Sequence, residues 1–189
     1  IGIIRSYSII WDHLTGNPED QLLDFIVWEK RLPRTVLGIL TGAGLAAGGC
    51  VMQSILRNPL ADTYTTGISA GAGLGATLAF TVGLSMASGP MSVVINSFVF
   101  ALMPMGVVIL VSKLRGGSSI VMVMAGIAMM YLFNAISAVF KIMSDPNALS
   151  ALYAWQLGSV AGGSWDTMAL PAIAVTAGTV AMCLLAQRI

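Results

Sequence analysis

Two segments of this 189-residue chain set charged and turn-forming residues beside long apolar runs: Arg31-Leu-Pro-Arg34 and Arg57-Asn58-Pro59-Leu60-Ala61-Asp62. A guanidinium fork donates bidentately to carboxylate or phosphate. Arg31 and Arg34 therefore suit either lipid phosphates or the carboxylates of a protein partner. Asn-Pro starts turns, so the second segment reads as a sharp reversal between two apolar runs.

Catalytic chemistry is hard to assemble from the remaining residues. His13 is the only histidine and lies in a polar stretch, while Asp62, Asp145 and Asp166 stand at the ends of apolar runs. A protease working within a bilayer needs its base or acids at depth. No His, Cys and Glu residues share metal-ligand spacing. Cys50 and Cys183 read as small buried apolar residues. Gly71-Ala-Gly73-Leu-Gly75 has neither the preceding strand nor the later acid of a dinucleotide site, and no G-x-x-x-x-G-K-[ST] is present to hold ATP phosphates. We expect no enzyme activity, no cofactor and no resident metal. Proton-driven pumps carry ionisable groups inside their spans. Here only Lys141 comes close, near a span end, where it can snorkel to the interface.

The elements that must position these groups follow from charge placement. Only 9% of residues are charged and 57% are hydrophobic, whereas soluble domains carry about 25% charged residues. The near balance of nine basic and eight acidic side chains gives no sign of a nucleic-acid partner. Residues 35–56, 63–112, 116–140, 146–165 and 167–187 hold no formal charge. A spanning helix needs about 20 apolar residues; backbone in lipid must pair within helices or a closed barrel, and barrel strands would alternate apolar and polar residues, which these segments do not. The pattern predicts an all-α polytopic membrane helix bundle with spans near 35–56, 64–83, 92–112, 120–143 and 168–187, and a turn at Ser85–Pro90.

Residues 1–34 read as a separate segment, hydrophilic over 11–34, with Ile1–Ile10 too short to cross and suited to the tail of a span. Asn17 is placed to cap a helix, with Pro18 at its first position and Glu19 and Asp20 favouring the positive dipole end. Leu22, Leu23, Phe25, Ile26 and Trp28 give an apolar face, and Pro33 is expected to stop the helix near Leu32. The expectation is a short interfacial helix anchored by Trp11 and Trp28. Residues 35–189 would be the membrane bundle, part of one larger domain. The opening at Ile1 without Met and the abrupt end at Arg188–Ile189 suggest a fragment of a longer polytopic protein.

Small residues permit close helix approach in lipid. Gly44 and Gly48 in the first span, and Gly67, Gly71 and Gly75 in the second, are expected to pack these two helices deep in a bundle. A bent helix lining a path is the other reading. Gln53, Thr77, Asn96, Asn134 and Ser137 are neutral interior polar residues, suited to interhelical hydrogen bonds or, for Asn134, to lining a pore. The basic residues split four against five between the two sides of the membrane, so the positive-inside rule gives no orientation.

Taken in order, Arg31-Leu-Pro-Arg34-Thr35, Gly42-Ala43-Gly44-Leu45-Ala46, Gln53, Arg57-Asn58-Pro59-Leu60-Ala61 and Gly67-Ile68-Ser69 through Gly73 resemble the permease subunits of ABC importers for iron-siderophores, haem and cobalamin. Ala125-Gly126 and Trp155-Gln-Leu-Gly158-Ser159 with Trp165 extend the likeness over essentially the whole chain. The resemblance implies ten transmembrane helices, of which these five match helices two to six. It also implies a homodimer in a prokaryotic plasma (inner) membrane, cytoplasmic ATPase subunits and an extracytoplasmic substrate-binding protein. Residues 11–34 would lie outside, with Arg57, Lys113, Arg115 and Arg188 in the cytoplasm. Arg31 and Arg34 match binding-protein docking residues. Ser69, Ala70 and Gly71, with Ser118 and Ser119, match stretches around cytoplasmic gates. Gly126, Met129, Met130 and Asn134 match the helix lining the pathway, although the methionines also suit ordinary core packing. A secondary transporter or channel working without an ATPase, and a structural membrane subunit, are the alternatives; solute flux in liposomes without nucleotide separates the first, and absence of any transport the second.

Overall fold

The computed structural model describes residues 2–16, 19–87 and 91–186, with Thr167 and Ala186 described by backbone alone. The expected cap at Asn17–Pro18, the end of the turn at Ser88–Pro90 and Arg188 lie outside the described residues. Every described regular element is a helix. They are α1 (Ile3–Leu14), α2 (Gln21–Phe25), a π segment (Ile26–Arg31), α3 (Leu32–Leu56), α4 (Ile68–Thr81), α5 (Ser92–Leu114), α6 (Ser119–Ile142), α7 (Pro146–Leu157) and α8 (Trp165–Ala186).

Two compact units form, one from Ile1–Ala47 with Ser159–Ile189 and the other from Gly48–Gly158. In the first unit Asp20 caps α2, its carboxylate accepting from the Leu22 and Leu23 N–H groups at 2.9 and 3.2 Å. The helix does not stop at Pro33, contrary to the sequence expectation, and Gln21–Leu56 runs on without a break. The π segment explains this. The Leu32 N–H reaches back five residues to the Val27 carbonyl, which offsets the ladder by one residue. Pro33 lacks an N–H and its ring must avoid the carbonyl four residues behind, and a π turn just before it relaxes that demand. His13 on α1 is held against the π segment, its Nδ1 2.8 Å from an Asp24 carboxylate oxygen and its ring stacked on Trp28 at 3.9 Å. Trp165 Nε1 donates to the Trp28 carbonyl at 3.0 Å, tying the start of α8 to the same place.

The second unit is built on α4. Ala70, Leu74 and Leu78 pack with Phe100 of α5 and Phe133 of α6. A Cβ on Gly71 would stand 2.6 Å from the Phe100 carbonyl, and one on Gly75 2.7 Å from that of Asn96. Only glycine lets α4 and α5 approach so closely. Asn96, fully buried, donates from Nδ2 to the carbonyls of Gly75 and Leu84 at 2.8 and 3.1 Å.

Among the described residues four helices are long and apolar enough to span: Gln21–Leu56, Ser92–Leu114, Ser119–Ile142 and Met168–Leu185. The second expected span, at 64–83, is instead the 14-residue α4. The reason is local. Asp62 accepts from the Tyr64 and Thr65 N–H groups, and the Thr66 hydroxyl donates to the Thr63 carbonyl at 3.1 Å. Such side-chain bonds compete with the helical ladder. Gly67 then adopts φ +79, a left-handed turn that releases the chain into α4. Asn58 shares a groove with Ser119, while Thr66 abuts Gly126. Seven residues of α6 separate those levels, about 10 Å at helical rise. Residues 57–67 thus climb irregularly along α6 before α4 begins, with Ala61 and Thr66 buried and Leu60 and Tyr64 exposed.

The long helices keep wide apolar faces outward. Even Ser92–Leu114, the most enclosed of the four, has only 22% of its apolar window buried, so these faces suit lipid or further helices rather than water. The small-residue face of α3 differs from expectation. Gly44 meets Val175 of α8, its Cβ position 3.0 Å from Cγ2, but Gly48 faces open space. Cys50 and Cys183 are exposed on this chain rather than buried.

Candidate functional site

In the first unit, Arg31 sits at the end of the π segment and Arg34 a turn later, both exposed. The Thr35 hydroxyl donates to the Arg31 carbonyl at 3.0 Å, tightening this turn. Arg31 borders a groove of about 290 Å³ with Tyr7 and Ile10 of α1 and Val27. Among the described residues neither arginine has an ion-pair partner. Both guanidinium groups are therefore free to meet an anionic surface.

The second unit holds a cleft of about 560 Å³ between α4, α6 and α7. Asn134, Ser137 and Lys141 face it from α6, and their spacing of three and four residues puts them on one stripe. Ser69, Ala70 and Gly73 border it from α4, and Trp155 and Gln156 from α7. Lys141 Nζ donates to Gln156 Oε1 at 3.3 Å and lies 5.2 Å from the centre of the Tyr153 ring. Asn134 is exposed. The lining contains no carboxylate, and among the described residues no cluster could hold a metal ion. The arrangement offers amide, hydroxyl and one ammonium group to a solute but no acid, nucleophile or base set for bond cleavage.

The residues singled out in the sequence divide between places. Ser69 and Ala70 share the cleft with Asn134. Gly71 is wedged against α5. Ser118 is the N-terminal flank of α6, and Ser119 borders a groove of about 310 Å³ with Arg57 and Asn58. Fifteen residues of α6 separate Ser119 from Asn134, about 22 Å, so within one chain these serines stand far from Ser69. Gly126 backs onto the climbing segment, its Cβ position 2.7 Å from the Thr65 carbonyl. Met129 and Met130 pack against the core of the second unit.

Helix α7 is shorter than the runs of about 20 residues that mark spans, and although Gln156 lies in the Trp155–Ser159 motif, nothing in the sequence sets it beside Asn134. A local signal was present. Asp145 caps α7, accepting from the Asn147 N–H at 2.8 Å, with Pro146 at the first turn, and Gly158 ends it at φ +71. Asp-Pro before and Gly after is the pattern of a short capped helix.

Comparison with known proteins matches residues 3–189 to the FecCD transport family. A Helicobacter pylori (strain J99) protein described as an iron chelatin transport system permease is 34% identical over 178 residues, covering 94% of this chain and 53% of that protein. The hemin transport system permease protein HmuU of Yersinia pestis is 32% identical over 166 residues, covering 86% of this chain and 48% of that one. A solved structure described as an inward-facing conformation of a metal-chelate type ABC transporter superimposes with TM-score 0.69 at 26% identity, covering 89% of this chain and 51% of that one. The chain spans about half the length of the curated relatives it matches.

Proposed function

Since this chain belongs to the FecCD transport family, we propose that it forms part of the membrane permease of an ATP-binding-cassette importer. The cargo is a metal chelate of the iron-siderophore, haem or cobalamin type. The importer sits in a prokaryotic plasma membrane as a permease homodimer. ATPase subunits dock on the side of Arg57, Lys113 and Arg115, and a substrate-binding protein docks through Arg31 and Arg34. Ser118 and Ser119 stand near the cytoplasmic gate, while Ser69 and Ala70, with Gly71 packed behind them, border the path at the level of Asn134. Asn134 lines the path.

The observation that carries this reading is the cleft of the second unit, polar yet without a carboxylate in its lining. A carrier driven by protons or ions places titratable or coordinating acids at depth. Amides, hydroxyls and a single ammonium, with no acid to carry a coupling ion, instead suit a conduit that draws its energy from other subunits.

The test is uptake into proteoliposomes by the full-length permease with its ATPase and binding protein, using ferric citrate and hemin. Uptake should require ATP and the loaded binding protein. Concentrative uptake by the permease alone, with no nucleotide, would overturn the proposal in favour of a self-sufficient transporter.

A further inference from the structure

Lys141 is the only charged side chain on α6 and, among the described residues, the only one bordering the cleft. We propose that it makes the cleft a binding station for an anionic group on the cargo, a carboxylate or oxyanion of the chelate. The inference rests on the importer reading and deepens it by naming the charge class of the solute.

An ammonium in a weakly polar setting normally recruits a carboxylate. Among the described residues Lys141 has none within ion-pair distance. Two weaker contacts hold it in place: Gln156 Oε1 at 3.3 Å and the Tyr153 ring at 5.2 Å. An ammonium has three donors, and Gln156 takes one. The others are available to a ligand in the cleft, which holds about 560 Å³, room for a chelate's acidic arm.

The rest of the lining favours the same sign. Asn134 and Ser137 continue the Lys141 stripe down α6 and can donate to an anion. The amino end of α4 opens at Ser69 on the opposite wall, and its dipole adds positive potential there. With no carboxylate in the lining, an anion meets no like charge. A cationic solute meets an ammonium and a positive helix end.

The assembled transporter, in proteoliposomes with its ATPase and binding protein, is given ferric citrate, hemin and a neutral ferric trihydroxamate. Lys141→Gln should lower the initial rate for the two anionic complexes about tenfold, the scale of one charge-assisted hydrogen bond, and leave the neutral one unchanged. Lys141→Arg should keep most of the anionic uptake. ATP hydrolysis stimulated by the binding protein reports that the variants are folded and assembled. Equal loss for charged and neutral complexes, or no loss for either, overturns the assignment while ATP-dependent uptake by the unsubstituted protein preserves the importer reading. No ATP-dependent uptake of any of the three complexes by the unsubstituted protein overturns both.

Discussion

Gly67 and Gly126 meet backbone to backbone. A Cβ on Gly67 would lie 2.9 Å from the Gly126 carbonyl oxygen, and one on Gly126 would lie 2.8 Å from Thr66 Cα. This contact sets where the irregular climb ends and α4 begins. Neither partner is a flexible side chain, so the first methyl group must move main chain. Gly126→Ala should cost about 1–3 kcal/mol, the scale of overpacking, read as lower thermal stability in detergent. Gly67→Ala adds the left-handed penalty of about 1–2 kcal/mol and should be the worse of the two.

The α4–α5 contact makes a parallel prediction with an internal control. Gly75→Ala meets the Asn96 carbonyl and Ser97 Cα, and Gly71→Ala the Phe100 carbonyl; each should destabilise by about 1–3 kcal/mol. Gly106→Ala, on the partner helix α5 but with nothing within 4 Å, should be neutral or slightly stabilising by helix propensity. Equal melting temperatures for all three variants would contradict the packing described.

Asn96 spans two carbonyls from complete burial. Its own Oδ1 has no partner, so the residue already tolerates one unmet acceptor. Asn96→Leu leaves the Leu84 carbonyl unpaired as the chain exits α4, at about 1–3 kcal/mol. Hydrogen exchange should quicken first at residues 78–84, where the Leu84 N–H bonds the Leu78 carbonyl at 3.2 Å.

Arg57 closes α3 in the left-handed region, at φ 46, with the Asn58 N–H reaching back to the Gln53 carbonyl at 3.2 Å. This position favours glycine. Arg57→Gly should stabilise the turn by about 1 kcal/mol, measured as a higher melting temperature. If Arg57 also serves the ATPase side, the same variant should lose coupled transport while gaining stability.

For the rim, Arg31→Glu with Arg34→Glu should abolish docking of the loaded binding protein while leaving membrane insertion intact. Each arginine singly replaced should weaken docking about tenfold, as for loss of one charge-assisted pair. Surface plasmon resonance on the nanodisc-held transporter measures this directly. Undiminished docking by the double variant would remove these residues from the interface.

Composition decided that this chain is a set of helices in lipid. With so few charges and long uncharged runs that do not alternate apolar with polar, a backbone outside water pairs its polar groups within helices rather than in a closed barrel. The motif block from Arg31 to Ala61 pointed to the family, since its turn and rim residues are adjacent in sequence. Helix ends were less legible. Pro33 reads as a stop by local rules, yet the π segment carries the helix through it. Residues 64–67 read as apolar span, yet hydroxyl and carboxylate bonds to the backbone hold them out of the helix. The cleft was the least legible feature, because Asn134, Lys141, Ser69 and Gln156 are scattered over 88 residues. Periodicity could set Asn134 and Lys141 on one stripe. Only the packing of α4 and α7 against that stripe, permitted where glycines let backbones touch, brings Ser69 and Gln156 to face it.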